Sequence, residues 1–184
     1  MKDILNLEDN LTLKSKFFFS KSYIESSMIF SKNACAVESK ESDDYYDNSN
    51  HQANVISSIL FSVLYLESTI NEFYINVADG LNLGRNIKPE FRDKIIEFWQ
   101  SDKLKSCSIL QKYQSALSFM DRNKFDENFN PFQNIKILIS LRNYLVHYKP
   151  EWVEMKENED DVVQLANLEK KLIRKFEIRK NSGI

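Results

Sequence analysis

Glycine and proline are close to missing from this chain, three of each in 184 residues. A strand-rich fold needs turn residues about every eight to twelve positions. They are not here, so an all-α architecture is expected before any periodicity is read. Cysteine is as scarce: Cys35 and Cys107 stand far apart without CxxC spacing. They read as reduced thiols and not as a disulfide framework. There are also only two histidines, and none of these four residues has metal-ligand spacing, so no metal and no cofactor is expected. Charge of one sign is lacking too. Lys+Arg 25 against Asp+Glu 27 leaves a formal charge of -2, so any nucleic-acid contact must come from a local patch. The start Met1-Lys2-Asp3-Ile4 does not open a signal peptide, and Phe17-Phe18-Phe19 is too short for a signal core or a membrane span. The expectation is a soluble, cytoplasmic protein with no membrane partner.

What is present is helical periodicity. The length suits one domain over residues 1–184, with about two-thirds of the unfolded surface buried. A first helix is predicted over about 20–38, after a short extended lead. A polar, acidic loop follows over about 38–50, where Asn48-Ser49-Asn50 offers an N-cap. The longest helix runs from there to Asp79-Gly80, with the glycine as its C-cap. Pro89 suits the first turn of a helix over 89–100 carrying Phe91, Ile95, Phe98 and Trp99. A segment over 104–121 carries Leu104, Leu110, Tyr113, Leu117 and Met120. Asn130-Pro131 opens a helix over about 131–148, which Pro150 stops. Asp160-Asp161 can cap a last helix with Leu165, Leu168, Leu172 and Phe176. The chain thus reads as a single up-and-down bundle of five to six helices.

Two charges fall where apolar residues belong. On the long helix, at about 100° per residue, Ile56, Leu60, Val63, Leu64, Ile70 and Tyr74 form one apolar face. Ser58, Ser62, Thr69, Glu72 and Asn76 lie opposite. Glu67 sits in the middle of the apolar face, with Asn71 one turn on. A carboxylate buried there unpaired would cost several kcal/mol, so it needs a partner. On the helix over 131–148, Arg142 lies among Ile135, Leu138, Leu145 and Val146, while Lys136, Ser140, Asn143 and His147 share a polar strip roughly 60° wide. Leu141, Ile137, Tyr144 and Tyr148 cover the remaining side. Glu67 and Arg142 are therefore expected to meet across packed helices. A structural ion pair, with His147 an ordinary residue at a helix end, explains that much. It does not explain two apolar flanks around a polar seam, which fit a second surface covered by another subunit.

The segment Arg142-Asn143-Tyr144-Leu145-Val146-His147 places an arginine and a histidine on this helix with four residues between them. Ser140-Leu141 precede it and Tyr148-Lys149-Pro150-Glu151-Trp152 follow. It resembles the Rx4-6H signature of the HEPN domain family. The resemblance is most specific from Leu141 to Trp152. It implies a HEPN-like helical domain in which the arginine and histidine line a cleft between two subunits. Catalytic members of that family are metal-independent endoribonucleases. By resemblance, Arg142 and His147 form the catalytic pair, Asn143 matches the polar residue after the arginine, and Glu67 matches the acidic residue on the preceding long helix. Members that act as toxins beside a nucleotidyltransferase antitoxin carry a tyrosine two residues after the histidine. Here Tyr148 follows directly and Lys149 occupies that position, so nucleotide transfer onto such a tyrosine is not implied.

These residue types suit the chemistry. Cleaving RNA without a metal makes the 2′-hydroxyl attack its own phosphate, which needs a base, an acid and a cation on the phosphorane. An imidazole moves protons near neutral pH, and a helix C-terminus stabilises a cation. The forked guanidinium of Arg142 stabilises developing negative charge, Asn143 orients the ring or the phosphate, and Glu67 holds the guanidinium. His51 lies in a polar setting at the start of the long helix, so each subunit supplies one motif histidine; a homodimer supplies both acid and base. Lys136, Tyr144, Tyr148 and Lys149 are the candidates for contacting phosphates or stacking on bases. Tyr144 and Tyr148 read slightly better as core residues. The basic residues Lys170, Lys171, Arg174, Lys175, Arg179 and Lys180 read first as a solvated helix face.

The leading expectation is a HEPN-type endoribonuclease acting on RNA as a homodimer, a toxin or antiviral defence effector with an antitoxin or other regulatory protein as a possible partner. The alternatives are a non-catalytic HEPN-like interaction module binding a partner protein or nucleotide, and a purely structural bundle.

Overall fold

The computed structural model describes residues 15–39, 45–81 and 87–148. Six helices lie among them: α1 Ser20–Glu38, α2 Tyr45–Ala78, α3 Pro89–Gln100, α4 Asp102–Ser106, α5 Ile109–Phe119 and α6 Phe132–Val146. No strand occurs among the described residues. The fold class is the all-α bundle that scarce glycine and proline imply. The last helix expected around Leu165 to Phe176, together with Lys149, Trp152 and the basic residues Lys170 to Lys180, lies outside the described residues.

α1 and α2 form an antiparallel hairpin, since Ser20 meets Glu72, Ser27 meets Ser58 and Ser62, and Glu38 meets His51. The polar side of α2 is therefore not a solvent face. Ser27 Oγ lies 2.6 Å from Ser62 Oγ and donates to the Ser58 carbonyl at 3.2 Å, so small hydroxyls join the two helices. Glu72 has a further use. Its Oε1 accepts from the backbone N–H groups of Phe19 and Ser20, each at 2.9 Å, and its Oε2 from Ser20 Oγ at 2.5 Å. No side chain of α1 itself caps that helix. A carboxylate 52 residues away in sequence satisfies donors at its start instead, where negative charge is favoured.

α2 begins near Tyr45, not near Asn50. The Asn48-Ser49-Asn50 cluster lies inside the helix, because packing on α1 outweighs its capping preference: His51 bonds Glu38 at 2.9 Å, and buried Asn54 donates back to the Asn50 carbonyl at 2.8 Å. The other end is as expected. Gly80, at φ 67, accompanies the bonds Gly80 N–H to Val77 O and Leu81 N–H to Asn76 O, which is the paired closure that satisfies the last carbonyls. By length and composition, Asn48–Ala78 is apolar enough to cross a membrane. Here the same stretch carries Glu67, Asn71 and Glu72, each with a protein partner, and packs against α1, α3, α5 and α6.

The core forms where α3, α4 and α5 wrap the second half of α2. Ile70, Tyr74 and Val77 of α2 meet Ile95 of α3, Leu104 of α4 and Ala116 of α5, all buried. The Tyr74 ring stacks on Trp99 at 6.1 Å between centroids, and its hydroxyl donates to the Lys112 carbonyl at 2.9 Å. Burial pushes its pKa strongly upward, with Cys107 adding to the effect. The helix expected over 104–121 is two helices, because Cys107 and Ser108 are extended between them. Ser108 and Gln111 cap α5 reciprocally: Gln111 N–H donates to Ser108 Oγ, and Ser108 N–H to Gln111 Oε1.

α6 starts at Phe132. Pro131 occupies the cap position and not the first helical one, since its carbonyl already accepts the first helical bond, from Ile135 N–H at 3.1 Å. Of α6 only Phe132 is buried. Its docking partner is α2.

Candidate functional site around Arg142 and His147

The turn of α2 that bears Glu67 is held from two sides. Tyr113 on α5 donates to the Leu66 carbonyl at 2.9 Å, and Lys112 Nζ donates to Asn71 Oδ1 at 2.9 Å. Tyr113 is partly buried in reaching that carbonyl: burial raises its phenol from the usual 10.0 to about 12, with Tyr65 contributing less. Asn71, on the apolar face next to Glu67, thus finds its partner in Lys112. Neither Tyr113 nor Lys112 carried a sequence signal for this clamp, which depends on how α5 crosses α2.

α6 presents Arg142 to that turn. Arg142 Nη2 lies 3.4 Å from Glu67 Oε2, so the two misplaced charges meet as their helix positions require. The pair is less buried than the helical wheel suggests. The Glu67 side chain is 41% exposed and that of Arg142 23%. The expectation of a desolvated Glu67 is corrected accordingly: α6 covers only part of the α2 face, and Ile56 and Leu64 on that face are exposed too. Arg142 Nε is buried with no hydrogen-bond partner among the described residues. Among the described residues the guanidinium's hydrogen bond to Glu67 comes from one amino group, Nη2.

The polar strip is real and faces outward. Lys136, Ser140, Asn143 and His147 are all exposed, and Ser140 Oγ is tied to the Lys136 carbonyl at 2.8 Å. His147 terminates α6, its N–H donating to the Asn143 carbonyl at 3.0 Å. Five helical steps separate Arg142 from His147, about 140° around the axis and roughly 7.5 Å along it. The chain thus holds the arginine against α2 and the histidine on the open side, and no hydrogen bond joins them among the described residues.

Tyr144 and Tyr148 are not core residues. They are 43% and 57% exposed and pack edge to face on each other, ring centroids 5.6 Å apart. The core reading fails because nothing among the described residues covers this flank. Val146, on the opposite flank of the helix, is 53% exposed. Lys149 lies outside the described residues. No group of three or more His, Cys, Asp or Glu with metal-binding geometry occurs among the described residues. Comparison of the chain with family models, with curated proteins and with solved structures returns no match.

Proposed function

We propose that the protein is a metal-independent endoribonuclease of the HEPN type, cytoplasmic and active as a homodimer whose cleft forms along the C-terminal half of α6. The observation that carries this reading is the Glu67–Arg142 pair, which anchors a guanidinium on the helix whose exposed polar strip ends in His147. In the reaction, the 2′-oxygen of the substrate ribose bonds to the adjacent phosphorus and the bond to the 5′-oxygen breaks. One His147 takes the 2′-hydroxyl proton, and a second His147, from the other subunit, gives a proton to the leaving oxygen. Arg142 neutralises charge building on the phosphorane, and Asn143, one turn before His147, orients the imidazole or the phosphate. Tyr144 and Tyr148 offer ring faces to bases, and Lys136 and Lys149 offer charge to the backbone. A role as toxin or defence effector, restrained by a regulatory protein, fits such an activity.

The second reading is a non-catalytic interaction module. It is favoured by the exposed Tyr144, Val146 and Tyr148, which suit a protein partner as well as a second copy. The discriminating experiment is cleavage of total RNA in EDTA by wild type, Arg142→Ala and His147→Ala. Cleavage by wild type alone, leaving 2′,3′-cyclic phosphate ends, supports the nuclease, with each variant reduced at least about a hundredfold. A folded wild type that cuts nothing, or an unaltered His147→Ala, rejects it.

A further inference from the structure

Beyond the motif, α5, the segment linking it to α6, and the start of α6 enclose a groove of about 430 Å³, lined among others by Gln111, Gln114, Lys124, Glu127 and Lys136. We propose that this groove is a binding subsite for single-stranded RNA, in which Lys124 and Lys136 hold backbone phosphates and the neighbouring Phe125 and Phe129 stack on bases. The proposal rests on the nuclease reading and extends it to residues outside the motif.

Three observations carry it. The first is continuity. Lys136 belongs both to the groove and to the strip that ends at His147. From Lys136 to His147 the strip extends about 16 Å along the helix, so a strand following it from the groove passes the catalytic histidine. The second is charge. Lys124 and Lys136 against Glu127 leave the lining one positive charge in excess, and among the described residues neither lysine pairs with a carboxylate. The third is exposed aromatic surface on the same segment: Phe129 is 68% and Phe125 45% exposed. Cations along a groove with aromatic faces beside them are what sequence-tolerant binding of single strands uses.

The segment is also held in place. Gln114 brackets Phe125, donating to its carbonyl at 2.8 Å and accepting from its N–H at 2.9 Å. Asn128 N–H donates to Asp126 Oδ1 at 2.8 Å, and Gln133 Nε2 donates to the Glu127 carbonyl. Lys124 and Phe125 therefore stand on a backbone that needs little further ordering when a ligand arrives. A protein partner could use the phenylalanines, but two lysines without a carboxylate partner among the described residues, in line with the motif, suit a polyanion.

The test measures binding rather than cutting. In full-length His147→Ala, the affinity for a labelled single-stranded RNA of about twelve nucleotides is followed by anisotropy across a salt series. Adding Lys124→Gln and Lys136→Gln together lowers the slope of log affinity against log salt by about 1.4, some 0.7 for each phosphate no longer neutralised. Phe129→Ala weakens binding about fivefold or more without unfolding, because its side chain faces solvent. Lys32→Gln, on the exposed face of α1, leaves both quantities unchanged. Lys124→Arg together with Lys136→Arg preserves affinity. Tight RNA binding that the glutamine pair and Phe129→Ala do not alter overturns the subsite and leaves the nuclease reading standing. Variants that change the oligomeric state but not RNA affinity assign the segment to a protein interface and also overturn it. A wild type that neither binds nor cuts RNA removes both.

Discussion

Replacing Arg142 by leucine removes half of the pair with Glu67, yet the folded state should be no weaker for it. At 3.4 Å and an effective dielectric of about 20, the gross attraction of the pair is about 5 kcal/mol. With side chains 23% and 41% exposed, solvent screening brings the net contribution down to about 1 kcal/mol. Against this stands Arg142 Nε, buried and without a partner among the described residues, which costs about 1–3 kcal/mol. Leucine has no polar atom to strand and joins the stripe of Leu138 and Leu145, while the half-exposed Glu67 can hydrate. The balance is a stability unchanged or raised by up to about 2 kcal/mol, which for a chain of this size means a Tm from unchanged to about 8 °C higher. RNA cleavage in the same variant falls at least about a hundredfold.

Calorimetric melting beside the cleavage assay reads both quantities. A Tm that holds or rises while activity disappears means that the arginine is kept at the expense of stability, the usual mark of a functional residue. A Tm lower by more than about 6 °C, equivalent to a loss of about 2 kcal/mol, would refute the reasoning and make the pair a structural pin. Glu67→Gln separates positioning from chemistry. It keeps an acceptor near Nη2 and should lower the Tm by no more than about 4 °C, while a loosened guanidinium reduces cleavage about tenfold or more.

Glu72→Ala strips the start of α1 of its acceptor for three donors and should cost about 2–3 kcal/mol, with faster amide exchange at Phe19 and Ser20 as its local signature. An unchanged exchange rate there would show that the cap contributes nothing. Gly80→Ala places a Cβ at φ 67 and 2.9 Å from Arg92 Nη2, so denaturant unfolding should give a loss of about 1–2 kcal/mol. Tyr113 has its folded pKa raised by burial, so its contribution is fully present below the unfolded value of 10.0 and is lost as pH climbs to about 12. Tyr113→Phe should flatten that alkaline decline in melting temperature and also remove the bond to the Leu66 carbonyl. An identical decline in the variant would assign the alkaline effect elsewhere.

The pairing of Glu67 with Arg142 was legible in the sequence because it follows from incompatibility. Each charge interrupts an apolar stripe, and a 3.6-residue repeat is strict enough to locate both interruptions. Helix ends were legible where local chemistry decides them, as at Gly80 and Pro89, and misplaced where packing decides them, as at Asn48–Asn50. The break at Cys107 and Ser108 did have two signals, the Ser108-x-x-Gln111 capping box and the six-residue step from Leu104 to Leu110, which takes Leu104 about 120° off the stripe of Leu110 and Leu117. Glu72 could not have been identified as a cap from sequence, since its partners lie about fifty residues away and depend on the hairpin's register.

Burial was the least legible property, and around the motif it matters most. Apolar spacing shows which residues could be covered, not what covers them. Tyr144, Val146 and Tyr148 fit a core by pattern, yet they are open among the described residues, on the two flanks of the strip that ends at His147. Helix geometry sets Arg142 and His147 about 140° apart around the axis. On the proposed nuclease reading, apolar and exposed flanks on either side of one motif histidine have a physical use for a second copy. On that reading, a contact along the strip that buries the two tyrosines would bring a second His147 to the first.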